Sequence, residues 1–287
     1  MKRTWTHGPS QVAPDWSWQG YGRAKKESQL TKSTTNDDEY IPSLEKGLAV
    51  IALFSSDNPE WTLSQISREL KITPGSTRRI LRTLELLGYA VNNDGRFRLT
   101  AKVLGLGTAY LSSQPFSQAA GPLLRELAAK YHINCNLAIL DNRDVVYVAR
   151  ATYKDFENYY IHVGARVPAY ATSSGKVLLA SLSPEELETL LDGWTLEAFT
   201  PNTIASHEKL REVLDEVRTR DYATNDQDIF LGQRSISVPL RIDGRTTAAI
   251  VAATSVSRTT LEGLVTDLLP PLQAAARELE ETAAVLL

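Results

Sequence analysis

Two helix starts with almost nothing between them constrain this chain more than any other feature. Thr62-Leu63-Ser64-Gln65 spells T-x-x-Q, a capping box in which the threonine hydroxyl and the glutamine side chain satisfy backbone N–H groups that a helix start leaves free. Thr73-Pro74 marks a second start, with threonine as N-cap and proline at the first helical position, where its missing N–H costs nothing. Leu63, Ile66 and Leu70 form the apolar face of the first helix, so only Lys71-Ile72 remains to connect the two. The second helix turns Ile80, Leu81, Leu84 and Leu87 inward and ends at Gly88. Upstream, Leu44, Leu48, Ile51 and Leu53-Phe54 trace the apolar stripe of a further helix. Downstream, Tyr89-Ala90-Val91 and Phe97-Arg98-Leu99 flank Asn92-Asn93-Asp94-Gly95, whose Asp-Gly pair tolerates the positive φ angles of a tight hairpin. Helix, helix, short turn, helix and β-hairpin make a winged helix-turn-helix.

In that motif the second helix lies in the major groove, with its N-terminal residues nearest the bases. The sequence places Thr73, Gly75, Ser76, Thr77 and Arg78 there, with Thr62 and Ser64 at the start of the preceding helix. Arg78 and Arg82 are four residues apart and share the face opposite the apolar stripe, a placement suited to guanine edges or phosphate. Arg79 lies nearer the apolar side and is assigned either to bracing the domain or to a phosphate. Arg96 and Arg98 alternate with Phe97 and Leu99, so a strand puts both on one face, suited to backbone or minor-groove contact. Three arginines on an exposed helix are ordinarily just solvated charge. The agreement of the short turn, both caps and the basic hairpin is what points to double-stranded DNA.

Charge is distributed in the same sense. Residues 41–105 hold nine lysines and arginines against six carboxylates, whereas residues 106–287 hold 16 against 23. A small basic segment joined to a larger acidic one predicts that only the first meets a polyanion. Residues 1–40 are rich in Ser, Thr, Gln, Lys and Gly without a sustained period and read as a flexible tail, although Trp5, Trp16 and Trp18 are unusual there. Residues 101–113 read as a connecting helix. Beyond Pro115 the pattern becomes α/β. Leu123, Leu124, Leu127 and Ala128 lie on a helix, and Asn136–Leu140 and Val145–Ala149 are strands around an Asp141–Asp144 turn. Helices follow Ser173 and Ser183-Pro184, residues 207–220 form a charged amphipathic helix, and strands Ser235–Leu240 and Ala248–Ala253 flank Asp243-Gly244. A terminal helix from about Thr260 to Val285 is bent or interrupted at Pro270-Pro271.

Several function classes are disfavoured. No apolar run approaches the roughly 20 residues that span a bilayer, and Met1-Lys2-Arg3 has no apolar core behind it, so no membrane partner and a cytoplasmic location are expected. The single cysteine, Cys135, allows no internal disulfide or multi-cysteine metal site and reads as a buried small residue. The four histidines are scattered, without metal-ligand spacing. No catalytic residue, metal or cofactor is expected. Ser173-Ser174-Gly175-Lys176 matches the S-x-x-K of penicillin-binding proteins, which makes a serine hydrolase using Ser173 and Lys176 the enzyme alternative. The accompanying K-T-G is absent, and Ser56-Asp57-Asn58, which spells S-D-N, lies upstream of the serine rather than after it. An effector-independent DNA-binding protein is the remaining alternative.

Several separated motifs resemble the isocitrate-lyase-regulator (IclR) family of bacterial transcription factors. They are Pro42–Leu48 (PSLEKGL), residues 79–89 (RILRTLELLGY), residues 166–180 (RVPAYATSSGKVLLA) and residues 232–240 (GQRSISVPL). The resemblance implies an α+β chain: a winged helix-turn-helix at 41–100, joined by a linker helix at 101–114 to a GAF-like α/β effector-binding domain at 115–287. It also implies a homodimer or a dimer of dimers on palindromic operators. The run from Ile41 to Phe54 and the SISVP variant are most similar to regulators of aromatic-acid catabolism, such as those answering to protocatechuate or 4-hydroxybenzoate. Thr172-Ser173-Ser174-Gly175 before an apolar run marks a helix N-terminus, where free N–H groups and the helix dipole favour a carboxylate. The resemblance implies the same, setting a small carboxylic acid effector against Ser173 and Ser174 and near Asn225 and Ser235. Many family members carry cysteine where this chain has Ser235. Phe156, Tyr159, Tyr160 and Tyr170 are candidates to wall an aromatic pocket, and Asp228 to orient it or to bond backbone. The opposing reading of Ser173 is that it merely caps a structural helix.

Overall fold

The computed structural model describes residues 40–55, 57–112, 115–153 and 161–286. The N-terminal segment with its three tryptophans, Ser56, and Phe156, Tyr159 and Tyr160 lie outside these residues. The chain divides into two compact units between Thr100 and Ala101.

The first unit runs α1 (Pro42–Ala52), β1 (Trp61–Thr62), α2 (Leu63–Glu69), α3 (Pro74–Leu86), β2 (Ala90–Asn93) and β3 (Arg96–Leu99). Its helix starts are built as their residues dictate. Gln65 N donates to Thr62 Oγ1 at 3.3 Å while Thr62 N donates to Gln65 Oε1 at 2.8 Å, and Ser76 N donates to Thr73 Oγ1 at 3.2 Å. Helix α3 closes on Gly88 at φ 76°, with Tyr89 N bonded to Leu84 O at 2.8 Å and Gly88 N to Glu85 O at 2.9 Å. That is the Schellman arrangement, which only a left-handed residue permits. Asn93 faces Arg96 across the hairpin, leaving Asp94 (φ 50°) and Gly95 (φ 82°) as a two-residue turn with both φ positive, the geometry that matches the twist of the strands.

Three expectations are corrected here. Trp61–Thr62 pairs with β3 to make a three-stranded sheet of order β1-β3-β2, a strand too short to show any period in sequence. Leu44 and Leu48 are 59% and 56% exposed; α1 is buried at Val50, and Leu53 follows it into the core. Leu87 is also exposed, because it sits at the C-cap where the chain leaves the helical path. The core comprises Val50, Leu53, Ile66, Leu70, Leu81, Leu84, Ala90 and Phe97.

The second unit opens with a 3₁₀ turn (Ala101–Val103) and α4 (Leu104–Ser112), then α5 (Pro115–Tyr131), β4 (Asn134–Asp141), β5 (Asp144–Ala151) and β6 (Arg166–Pro168). A second 3₁₀ turn (Ala169–Ala171) leads into α6 (Ser173–Ala180), followed by α7 (Pro184–Leu191), α8 (His207–Arg220), β7 (Ala223–Asp226), β8 (Gln233–Ile242) and β9 (Arg245–Ser255). The C-terminal segment is α9 (Leu261–Gly263), a wide π turn (Leu264–Leu268) and α10 (Leu269–Leu286). The π turn sits immediately before Pro270-Pro271, which have no N–H to continue the regular ladder. The six strands form one antiparallel sheet in the order β6-β5-β4-β9-β8-β7.

Strand alternation then sorts the side chains by layer. Cys135 and Leu137 of β4, Ile236, Val238 and Leu240 of β8, and Ala248, Ile250 and Ala252 of β9 pack in one cluster with Leu124 and Leu127 of α5 and Leu272, Ala276 and Leu279 of α10. Their neighbours in sequence, including Asn136, Ser235, Ser237, Val251 and Ala253, point to the opposite face. Helix α6 covers that face, packing against β8, β9, β4 and β7, with α8 behind it. Every residue of α6 is buried, Lys176 included.

Candidate nucleic-acid surface and ligand cradle

In the first unit the N-terminal end of α3 is open. Thr73, Gly75, Arg78, Arg79 and Arg82 are exposed and Ser76 is half-buried. Gly75 has nothing within 4 Å of where a Cβ would stand, so no packing demand explains a glycine there. Thr77 corrects the expectation: it is fully buried, and its hydroxyl donates to Thr73 O at 3.1 Å, so it anchors the helix start and cannot touch a duplex. Thr62 has its hydroxyl committed to the capping box, whereas Ser64 stands exposed beside it. Arg96 and Arg98 project from one face of β3 while Phe97 between them enters the core.

Two of these arginines are loosely occupied. Arg82 pairs with Glu85 at 2.7 Å and Arg98 with Glu60 at 3.3 Å, both more than half exposed. Such surface pairs contribute at most about 1 kcal/mol and give way readily to phosphate. Arg78, Arg79 and Arg96 have no ion-pair partner among the described residues.

In the second unit the motif around Ser173 is assembled differently from a simple cap. Thr172 is the N-cap, its Oγ1 accepting from Gly175 N at 2.9 Å and donating to Ala169 O at 3.3 Å. Ser173 is the first helical residue instead, which disposes of the reading that it caps the helix. Its hydroxyl lies between Ser235 Oγ and Ser237 Oγ, 2.7 Å from each. Ser174 is fully buried, with its hydroxyl 3.4 Å from Thr172 Oγ1. The first backbone N–H groups of α6 have no helical acceptor, as at any helix start. Gly175 is obligatory, since a Cβ there would stand 2.0 Å from Ala169 O.

Beside this helix start is a narrow cavity of about 30 Å³ lined by Asn136, Tyr147, Val167, Thr172, Phe230 and Ser235, among others. Tyr147 is buried, which pushes its phenol up to about 12, with the Ser174 hydroxyl and the Arg150 guanidinium opposing that rise. Asn136 is 4% exposed, and its Oδ1 has no hydrogen-bond partner among the described residues. Neither residue was among those expected from sequence. A polar residue within the apolar run of β4, and a serine two positions after Ser235, were the available signals. A larger depression of about 640 Å³ lies on the outside, between Asn142, Arg143 and Glu185–Leu190. It has no claim as the site: Arg143 already donates to Leu190 O at 2.9 Å and to Asp192 O.

The remaining expected ligand contacts divide. Ser235 and Asn225 line the cavity, but the Asn225 amide is fully engaged, donating to Ala171 O at 2.7 Å and accepting from Asp228 N at 3.2 Å. Tyr170 is not a wall of the cavity: its ring packs edge-on to Trp194, and its hydroxyl donates to Glu197 O at 2.8 Å. Asp228 does not line the cavity. It is buried in an ion pair with Lys176, whose Nζ also donates to Thr224 O at 3.2 Å, and it accepts from the backbone at Asp226 N, the bond to backbone that was one of its two expected roles. Tyr159 lies outside the described residues.

The S-x-x-K constellation therefore does not assemble. Ser173 is hydrogen-bonded to two serines and Lys176 to Asp228, and a buried ammonium held by a carboxylate is no general base. Among the described residues there is also no cluster of histidine, cysteine and acidic side chains suited to a metal, and no helix long and apolar enough to cross a membrane. Cys135 is fully buried, and burial pushes its thiol up to about 12.

Comparison with known proteins adds to this geometry. Residues 43–94 match the description "IclR helix-turn-helix domain", and residues 108–281 match "Bacterial transcriptional regulator IclR C-terminal". The chain is 38% identical over 247 residues to the Pca regulon regulatory protein of Pseudomonas putida, covering 85% of each. It is 35% identical over 248 residues to the p-hydroxybenzoate hydroxylase transcriptional activator of Acinetobacter baylyi, covering 84% of this chain and 92% of that one. Among solved structures, an IclR homolog from Microbacterium hydrocarbonoxydans complexed with 4-hydroxybenzoate aligns with a TM-score of 0.75 and 26% identity, over 85% of this chain and 99% of that one.

Proposed function

The chain belongs to the IclR family of bacterial transcriptional regulators, and on that premise we propose that it binds operator DNA through α3 and the β2–β3 hairpin, with its affinity set by a small aromatic carboxylic acid. The observation that carries this reading is the pairing, in one chain, of an open basic helix end with a buried cradle of hydroxyls at a second helix start. Arg78, Arg79, Arg82, Arg96 and Arg98 supply the charge that meets the duplex. Ser173, Ser174 and Ser235, with the free N–H groups of α6, receive the carboxylate. The relatives named for the Pca regulon and for p-hydroxybenzoate hydroxylase, and the neighbour holding 4-hydroxybenzoate, support an aromatic acid.

Residues 41–100 act as the reading head, 101–114 as the link and 115–287 as the sensor. The protein works in the cytoplasm as a dimer or a dimer of dimers, reading palindromic sites. Coupling requires only that the acid bind the two DNA-affinity states unequally. The cavity has room for about one water molecule, so an entering ring displaces lining side chains, among them Ile229 and Phe230 on the loop between β7 and β8.

The test is a thermal-shift panel of benzoate, hydroxybenzoates, protocatechuate and aliphatic acids, followed by gel shifts on DNA upstream of neighbouring genes. A ligand specific to the native state raises the melting temperature and changes the gel shift. A protein that binds the operator yet answers to none of these acids is effector-independent, and the sensing half of the proposal falls.

A further inference from the structure

Among the described residues two buried side-chain atoms lack a hydrogen-bond partner, Trp61 Nε1 in the first unit and Asn136 Oδ1 in the second, and only the latter lines a cavity. Asn136 lies mid-strand in β4, one of the central strands of the sheet, on the face covered by α6. It is 4% exposed, it lines the cavity, and its Oδ1 has no partner. An unmade hydrogen bond at a buried carbonyl-type oxygen is costly, so such a group beside a cavity calls for a partner that enters from outside the chain. Near the helix start Asn225 is engaged by Ala171 and Asp228 and Lys176 by Asp228, while the hydroxyls of Ser173, Ser235 and Ser237 bond one another and can turn toward an anion.

The sheet register places Asn136 relative to those serines. Asn136 is opposite Val251 of β9, and Val251 is opposite Ser237 of β8. Asn136 and Ser237 therefore sit in one row on one face, two strand spacings or about 10 Å apart, with only the apolar Val251 between them. The row has hydroxyls at the end beside the start of α6, a flat apolar floor, and a lone acceptor at the far end. That is the pattern of a planar ring carrying an anionic group at one end and a hydrogen-bond donor at the other.

We propose that Asn136 is a specificity-determining residue whose side chain accepts a hydrogen bond from a ring hydroxyl of the effector, selecting hydroxylated aromatic acids over benzoate. The inference rests on the acid-binding reading above and deepens it. A ring hydroxyl satisfies the buried acceptor; an unsubstituted ring seals it away from water unpaired. Sites built around such a bond reject the analogue that lacks it.

Calorimetric titration of the full-length protein with benzoate, 3-hydroxybenzoate and 4-hydroxybenzoate tests it, in the parent and in Asn136→Leu and Asn136→Ala. The parent should bind at least one hydroxybenzoate about tenfold or more tighter than benzoate. Asn136→Leu, with the same branched skeleton but larger and apolar, should keep or improve benzoate binding and lose most of that preference; Asn136→Ala serves the same purpose if leucine does not fit. A parent that binds all three equally, or variants that retain the full preference, would overturn the role of Asn136 while leaving the acid site standing. Loss of benzoate binding in both variants with their circular dichroism unchanged would also overturn it, since Asn136 would then be holding the cradle together. A parent that binds none of the three overturns this inference, while the acid-binding reading falls only if the wider thermal-shift panel, protocatechuate and aliphatic acids included, is also silent.

Discussion

Replacing Lys176 by methionine isolates what the lysine of the S-x-x-K stretch does. Its side chain and that of Asp228 are 6% and 7% exposed, and Nζ also donates to Thr224 O at 3.2 Å. Methionine fills nearly the same volume, so packing is largely kept and the loss is electrostatic. Asp228 is then left buried with one backbone donor, Asp226 N at 3.2 Å, on Oδ1. Leaving one charge of a buried pair uncompensated costs about 3–5 kcal/mol. For a unit of this size each kcal/mol moves the melting temperature by about 2–4 °C, so the sensor unit should melt roughly 6–20 °C lower. Removing both charges in Lys176→Met/Asp228→Leu should recover most of that, a coupling of about 2 kcal/mol or more between the sites. Scanning calorimetry of the full-length chain, following the transition of the sensor unit, reads both variants. Two results would refute the reasoning: a single variant within about 1 kcal/mol of the parent, or a double variant that loses the sum of the two singles. The same single variant should also weaken acid binding, because Asp228 N holds the Asn225 side chain that in turn braces Ala171, next to the cap of α6.

Three further outcomes are expected. Arg78→Ala or Arg82→Ala should weaken operator binding by about 1–3 kcal/mol if a base contact is lost, and Arg96→Ala should lower the salt slope by about 1; Thr77→Val, by contrast, should cost stability and leave sequence preference alone in the same gel shifts. Gly175→Ala should abolish acid binding in titration, because the added Cβ stands 2.0 Å from a backbone oxygen that cannot yield cheaply; a variant that still binds normally would mean that α6 does not rest on Ala169 in solution. Cys135 and Tyr147 both hold their protons more tightly folded than unfolded, with pKa values raised to about 12 from 9.0 and 10.0. Their stabilisation is therefore complete below the unfolded values and lost as pH climbs toward the folded ones. Urea midpoints should fall above about pH 9, and Cys135→Ala and Tyr147→Phe should each flatten that fall.

The reading head was legible because its instructions are local. Thr62 and Gln65, Thr73 and Pro74, Gly88, and Asp94-Gly95 act on backbone within a few residues, so their meaning does not depend on what the rest of the chain does. Where the reading of this unit failed, it failed on packing. Leu44 and Leu48 have the right spacing for a buried stripe, yet none of the described residues of their unit covers them, and Thr77 looked like a contact residue until burial and its bond to Thr73 O placed it inside. The cradle was half legible. A helix start at Ser173 and a small polar residue at Ser235 stood out, and Asp228 bonds backbone as one of its expected roles, but Tyr170 belonged to the frame around the site instead.

The chain by itself determined the caps, the turns, the alternation of the strands and the separation of a basic segment from an acidic one, since each depends on neighbours a few positions away. Only the tertiary structure decided that Ser173 meets Ser235 and Ser237, that Lys176 is consumed by Asp228, and that Asn136 faces the same cavity as Ser235. Those meetings are set by the strand order β6-β5-β4-β9-β8-β7 and its register. Pairing between strands so distant along the chain is fixed by collective burial on both faces of the sheet, and no short stretch of residues encodes it.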